Sequence, residues 1–226
     1  MKYCIMIMLL FELQACRTYN IDGSEIKVIN DIFDNLIEEM GMISQFEIPP
    51  LPKLAFDSDD VVAYDTVVCN KMADVIEKEN RKMRDTTFII AVFDSLFTCY
   101  YLDLNIANIE KQLPERSYID ALNAMKDSSI ISYQLNLSQI KSYKRVTLRY
   151  YSEFPKGFKI WERENYNFLF SGTLKMSRIY FDKEKRVGLI YCSYACGRLC
   201  GEEVIICIRK ISDKWSIEKT ILLGVS

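Results

Sequence analysis

The residues best equipped for chemistry stand in one short stretch, 187–210, where Cys192, Cys196, Cys200 and Cys207 punctuate two apolar runs. Four thiolates this close could form a tetrahedral zinc site, since thiolate sulfur is a favoured zinc ligand. The spacing argues against it. Residues 187–194 and 203–209 are rich in Val, Ile, Tyr and Cys, and Gly197 and Gly201 lie between them to supply the positive φ of a reversal. The stretch therefore reads as a β-hairpin turning near Arg198. In a symmetric register Cys196 faces Cys200 at the mouth of the loop, within reach of a disulfide. The same register sets Cys192 across from Val204 and Cys207 across from Leu189, so the strand period of two sends the outer thiols to opposite faces. A redox-active dithiol is no better supported, because the tip is not Cys-x-x-Cys at the start of a helix. The expectation is a structural clasp, Cys196 to Cys200, with two buried thiols and no metal.

Other chemistry is narrowed by one absence: the 226 residues contain no histidine. Neither a Ser-His-Asp nor a Cys-His arrangement can be assembled within the chain. Asp94-Ser95-Leu96, after an apolar run, resembles the nucleophile block of GDSL-type hydrolases, with Phe93 where those enzymes carry glycine. Ser24-x-x-Lys27 and Ser138-x-x-Lys141 fit a serine-lysine pattern, but the Ser-Asp-Asn and Lys-Thr-Gly motifs that accompany it are missing. Asp57, Asp59 and Asp60 are the densest carboxylate group. They form a candidate acidic ligand site, or a solvated turn and helix cap; the loop lacks the glycine and distal glutamate of an EF-hand. With Asp94 they are also the acid and base candidates of a carboxylate-dependent hydrolase. No Walker A loop, dinucleotide-binding glycine motif or His-containing zinc motif is present, so no cofactor is expected.

Positioning these groups requires two kinds of element. Ile26, Ile29, Ile32, Phe33, Leu36, Ile37 and Met40 recur at helical steps, with Asp22 and Glu25 suited to a capping box and Gly41 to the stop. Prolines at 49, 50 and 52 make a rigid loop. Residues 69–83 read as a helix with Met72, Val75, Ile76 and Met83 inward, and 88–93 as a buried strand. Residues 105–127 read as one broken or two short helices around Pro114. From Ile130 the pattern becomes strand-like, at 131–137, 145–152, 158–161, 166–172 and 173–181, then the cysteine hairpin and a last strand from Trp215. The fold class expected is α+β, N-terminal helices packed on a C-terminal antiparallel β-meander. Residues 16–127 form a mainly helical acidic part with one buried strand, and 128–226 a basic antiparallel sheet part of the same domain.

Charge divides along that line. Residues 1–127 carry 12 Lys and Arg against 22 Asp and Glu, net −10, and residues 128–226 carry 17 against 9, net +8. Either the acidic helices dock on the basic sheet, or a basic face meets an anionic partner such as phospholipid, lipopolysaccharide or nucleic acid. Aromatic and basic residues interleave at 143–145, 149–151 and 158–163, as on a single-strand stacking surface or an ordinary amphipathic sheet.

Two resemblances add to this reading. Lys2, the apolar run from Tyr3 to Phe11, and Leu13-Gln14-Ala15-Cys16 look like a bacterial lipoprotein signal, with Glu12 as a departure from the pattern. The resemblance implies removal of residues 1–15 as a signal peptide, lipidation of Cys16 and a membrane anchor in the cell envelope. Simple secretion, or an N-terminal strand in a cytosolic protein, is the alternative. The last fifty or so residues are similar to the C-terminal segment of uncharacterised small lipoproteins and secreted proteins of the Bacteroidota type. The likeness rests on Ser177, Arg178 and Phe181, the clasp from Cys196 to Gly201, and Lys214-Trp215. Glu203 stands where that family commonly has glycine. No activity comes with the family. The function expected is an exported, lipid-anchored envelope protein acting as a binding or interaction module, its partner an envelope protein or anionic envelope ligand; export argues against nucleic acid. The alternatives are a carboxylate-dependent envelope hydrolase and a cytosolic single-stranded nucleic-acid or metal-binding protein.

Overall fold

The computed structural model describes residues 23–43, 72–78, 81, 86–142 and 145–226. Residues 1–22 with Cys16, the prolines at 49, 50 and 52, Cys69 and the Asp57, Asp59, Asp60 group lie outside the described residues.

Helix α1 (Ser24–Glu39) turns Val28, Ile29, Ile32, Phe33, Leu36 and Ile37 inward, as the helical periodicity dictates. Its end is a Schellman closure. Gly41 adopts φ +55°, its N–H donates to the Glu38 carbonyl (3.0 Å), and the Met42 N–H donates to the Ile37 carbonyl (3.0 Å). Asp22, one half of the expected capping box, lies outside the described residues. Gly23 is the N-cap, without a side-chain cap, and Glu25 is committed to Arg178 instead.

Among the described residues nine strands follow in chain order: β1 (Phe88–Val92), β2 (Ser95–Leu96), β3 (Tyr133–Gln134), β4 (Val146–Tyr150), β5 (Leu169–Met176), β6 (Tyr180–Phe181), β7 (Val187–Gly197), β8 (Cys200–Ile211) and β9 (Lys214–Val225). Helices α2 (Ile106–Gln112) and α3 (Tyr118–Ala124) flank Pro114. Seven strands form one sheet in the order β4-β1-β5-β7-β8-β9 with β6 on β7, and β2 and β3 make a small separate pair. Strands β5, β7, β8 and β9 pair antiparallel, so the C-terminal half is the meander its turns imply. Strand β1 enters between β4 and β5, parallel to both. Its continuous apolar run is explained by that place, since a central strand is covered on both faces. The parallel return is possible because α2 and α3 lie on the long connection to β4.

The sheet is covered on both sides. On one, α1 packs with Ile90, Val92, Leu174, Ile190, Cys192, Val204, Ile206 and Trp215. On the other, Tyr118, Ala121, Leu122 and Met125 meet Tyr180, Leu189, Tyr191, Ile205 and Cys207. A third cluster, Phe154, Ile160 and Phe170 with Ala91, lies over β1 and β5.

Several expected elements take another form. The runs at 166–172 and 173–181 give one strand across their boundary, β5, with only Tyr180–Phe181 apart as β6. Residues 158–161 are not a strand: Gly157, at φ +64°, opens a 3-10 turn, Gly157–Trp161, that buries Ile160. The run at 131–137 yields only Tyr133–Gln134, because the Asn136 side chain accepts from Ser138 N and starts a 3-10 turn. Residues 72–78 are helical, yet Met72 and Val75 are exposed rather than inward.

Candidate functional site

The β7–β8 hairpin builds the site. Leu189 pairs with Cys207 and Cys192 with Val204, so adjacent strands carry their outer thiols on opposite faces. Cys192 lies in the core under α1 and Cys207 in the core under α3. The sheet itself separates them, and a four-thiolate centre cannot converge. Burial pushes the Cys207 thiol up to about 12, partly opposed by Lys219. It raises Cys192 as well. Cys99, the third buried free thiol among the described residues, is also raised by burial, while the Ser177 and Tyr180 hydroxyls and Lys175 pull it down. Neutral thiols in apolar surroundings are poor nucleophiles and poor metal ligands.

At the tip, Cys196 and Cys200 are joined by a disulfide, their Cα atoms 5.2 Å apart. Ala195 pairs with Gly201 and Gly197 with Cys200, which leaves Cys196 as an extra residue, a bulge, on one strand. Arg198 and Leu199 make the turn. Gly197 and Gly201 do not supply positive φ, contrary to the sequence expectation; the left-handed glycines among the described residues are Gly41 and Gly157. Gly201 serves close approach instead. A Cβ there would lie 3.0 Å from both the Tyr194 carbonyl oxygen and Ser226 Oγ, where β9 returns to exchange backbone bonds with Gly201.

The bulge is seated from below. Arg163 Nη2 donates to the Cys196 carbonyl (2.7 Å) and to the Ser171 carbonyl (3.3 Å). Arg198 Cζ lies 5.4 Å from the centre of the Phe158 ring, joining the hairpin tip to the 3-10 turn at 157–161. Ser171 is the extra residue where the β1–β5 register shifts. Its hydroxyl donates to the Met42 carbonyl and lies 2.7 Å from the Tyr194 hydroxyl, tying the end of α1 to β5 and β7. A cavity of about 340 Å³ opens between that helix end and the hairpin base, with Glu39, Tyr194, Cys196, Cys200 and Glu202 among its walls. Burial raises the Glu202 carboxyl. At the hairpin tip and the 3-10 turn two apolar side chains project into solvent, Leu199 at 89% and Phe158 at 71% exposure.

Most of the remaining candidates have structural occupations; the Ser24 hydroxyl is buried without a hydrogen-bond partner. Asp94 Oδ1 accepts from Ser152 N (3.1 Å) and Oδ2 from Ser152 Oγ (2.5 Å), fixing the turn after β4. Ser95 lies in β2, against Gln134. Lys27 Nζ donates to Asp31 Oδ2 and the Asp213 carbonyl, and Ser138 Oγ to Asn136, so neither serine-lysine spacing yields a dyad. Cys16 and the Asp57, Asp59, Asp60 group fall outside the described residues.

Ion pairs join the helical layer and its loops to the sheet and its turns. Glu25 pairs with Arg178, Glu115 with Arg209 and Asp120 with Lys183. The interleaved arginines also find rings within the chain: Arg145 lies over Phe88, and Arg149 over Phe154 and Phe168 while pairing with Glu153. The sequence located the clasp and placed Phe158 and Arg163 in an interleaved aromatic and basic run, but not the bonds Arg163 makes to the hairpin or the meeting of Ser171 with Tyr194. A single arginine and two hydroxyls far apart in sequence leave no periodic trace, whereas Ser171-Gly172 inside an apolar strand was a readable bulge signal. Comparison of the chain with protein-family models, curated proteins and solved structures finds no match.

Proposed function

We propose that this chain is an exported, lipid-anchored cell-envelope protein that acts as a binding or interaction module rather than as a catalyst. The observation that carries the reading is the Cys196–Cys200 disulfide on an exposed hairpin tip. Disulfides persist in oxidising compartments and are rare in the cytosol. The leader supplies the route, since Lys2, the run Tyr3–Phe11 and Cys16 fit a lipoprotein signal. The absence of histidine and the commitment of Asp94 to Ser152 favour binding over acid-base chemistry.

The test is an intact mass of the protein extracted from membranes of its native host or a bacterial surrogate, before and after reduction and alkylation. The expected mass is residues 16–226 plus acyl chains, with Cys196 and Cys200 alkylated only after reduction. A full-length, unacylated chain whose every thiol reacts at once under denaturing conditions would overturn the reading.

A further inference from the structure

We propose that the hairpin tip and the neighbouring 3-10 turn form a single surface that docks on anionic phospholipid bilayers. This deepens the envelope reading above and rests on it for the biological setting. The surface joins two chain segments far apart in sequence, Lys156–Lys159 and Gly197–Cys200. One contact joins them directly, the Arg198 guanidinium over the Phe158 ring, while the disulfide braces the tip and Arg163, just past the 3-10 turn, grips the Cys196 carbonyl at its base. Leu199 and Phe158, among the most exposed large apolar side chains of the described residues, stand on this one surface. Around them lie Lys156, Lys159 and Arg198, all exposed, and neither segment contains a carboxylate.

Apolar side chains projecting beside cations match the boundary of an anionic bilayer. The Leu and Phe side chains enter the region between headgroups and acyl chains, and the cations stay at the level of the phosphates. An apolar protein groove would accept Leu199 and Phe158 but has no need of three cations. A nucleic acid would use the cations but not an aliphatic tip. The bracing also fits, because a tip already ordered in solution loses little conformational entropy on docking.

The test uses the mature chain, residues 16–226, carrying Cys16→Ser and with its disulfide formed, so that neither acylation nor the apolar run at 3–11 plays a part. Its failure is thereby distinguishable from failure of the envelope reading, which the mass measurement decides. Sedimentation is measured with vesicles of phosphatidylcholine alone and with about one phosphatidylglycerol in three lipids. The expected result is partitioning onto the anionic vesicles only, weakened by salt. Leu199→Ser and Phe158→Ser should each lower it about tenfold. Lys156→Gln, Lys159→Gln and Arg198→Gln should each lower it about fivefold and flatten the salt dependence. The substituted side chains are solvent-exposed, so an unchanged circular dichroism spectrum and melting temperature are required of each variant. No partitioning, equal partitioning onto neutral vesicles, or undiminished partitioning of the Leu199→Ser, Phe158→Ser double variant overturns the proposal. So does loss of binding to a purified envelope protein, in the same variants, when vesicle binding is absent.

Discussion

Arg178 Nε stands 3.0 Å from Glu25 Oε2, joining the β5–β6 link to the first turn of α1, with the glutamate side chain 7% exposed and the arginine 24%. Arg178 Nη1 also donates to the Ile131 carbonyl (2.6 Å), so one guanidinium fastens a helix start, a strand end and a loop. The difference in exposure makes the two halves of the pair unequal. Arg178→Ala strands a buried carboxylate and should cost about 3–5 kcal/mol. Glu25→Gln leaves an arginine that reaches water and keeps its carbonyl bond, and should cost about 1 kcal/mol. Urea unfolding of the two variants checks this, and equal losses would count against it.

Two glycines make a contrasting pair. A Cβ on Gly172 would lie 2.2 Å from the Ala195 carbonyl oxygen and 2.9 Å from the Tyr194 ring, whereas one on Gly224 would have nothing within 4 Å. Gly172→Ala must push β5 away from β7 where Ser171 and Tyr194 meet, and should destabilise by about 3 kcal/mol. Gly224→Ala should change stability by less than about 0.5 kcal/mol. Thermal melts of the pair decide; a tolerated Gly172→Ala would mean the strands are not so closely opposed.

The hairpin was legible because its logic is local. Alternating apolar residues about a central Arg198 fix a register, and that register gives both Cys192↔Val204 and Leu189↔Cys207 without further information. Helix α1 and the break at Pro114 were legible for the same reason. What failed was non-local or conformational. The parallel insertion of β1 depends on which strand edges are free once the meander has formed, and no residue of Phe88–Val92 records it. Gly157 and the 158–161 segment alternate like a strand, but Ile160 finds its core by a 3-10 turn against Phe154 and Phe170. Glu25 looked like a cap because its partner Arg178 lies 153 residues away.

The free thiols predict alkaline weakening. Burial holds Cys192, Cys207 and Cys99 protonated, with Cys207 pushed up to about 12. The unfolded chain releases those protons near pH about 8.5. The folded state binds them more tightly, so their stabilising effect is complete below that value and is lost as pH rises toward the folded values. Tyr118, Tyr180 and Tyr191, also raised by burial, act in the same direction at higher pH. Denaturant unfolding followed from pH 7 upward should show stability falling above pH about 9, less steeply in Cys207→Ala. A flat profile, or an unchanged slope in that variant, would contradict the assignment.

The disulfide should matter more to the tip than to the fold. It closes a loop of only Cys196 to Cys200, and chain-entropy reasoning gives such a loop about 2 kcal/mol at most. Beneath it the β7–β8 ladder continues from Ala195↔Gly201 through Val187↔Arg209, with Arg163 and the Ser226 backbone bonds anchoring its upper end. Cys196→Ala, Cys200→Ala should therefore lower global stability by no more than about 2 kcal/mol. Amide exchange should accelerate around 196–201 and stay slow at 189–192 and 204–208, where the strands are buried on both faces. Loss of protection along the whole hairpin would instead make the clasp a condition of folding. Protection lost only at the tip leaves it as a local brace, whose role is to hold Leu199 and Arg198 beside Phe158.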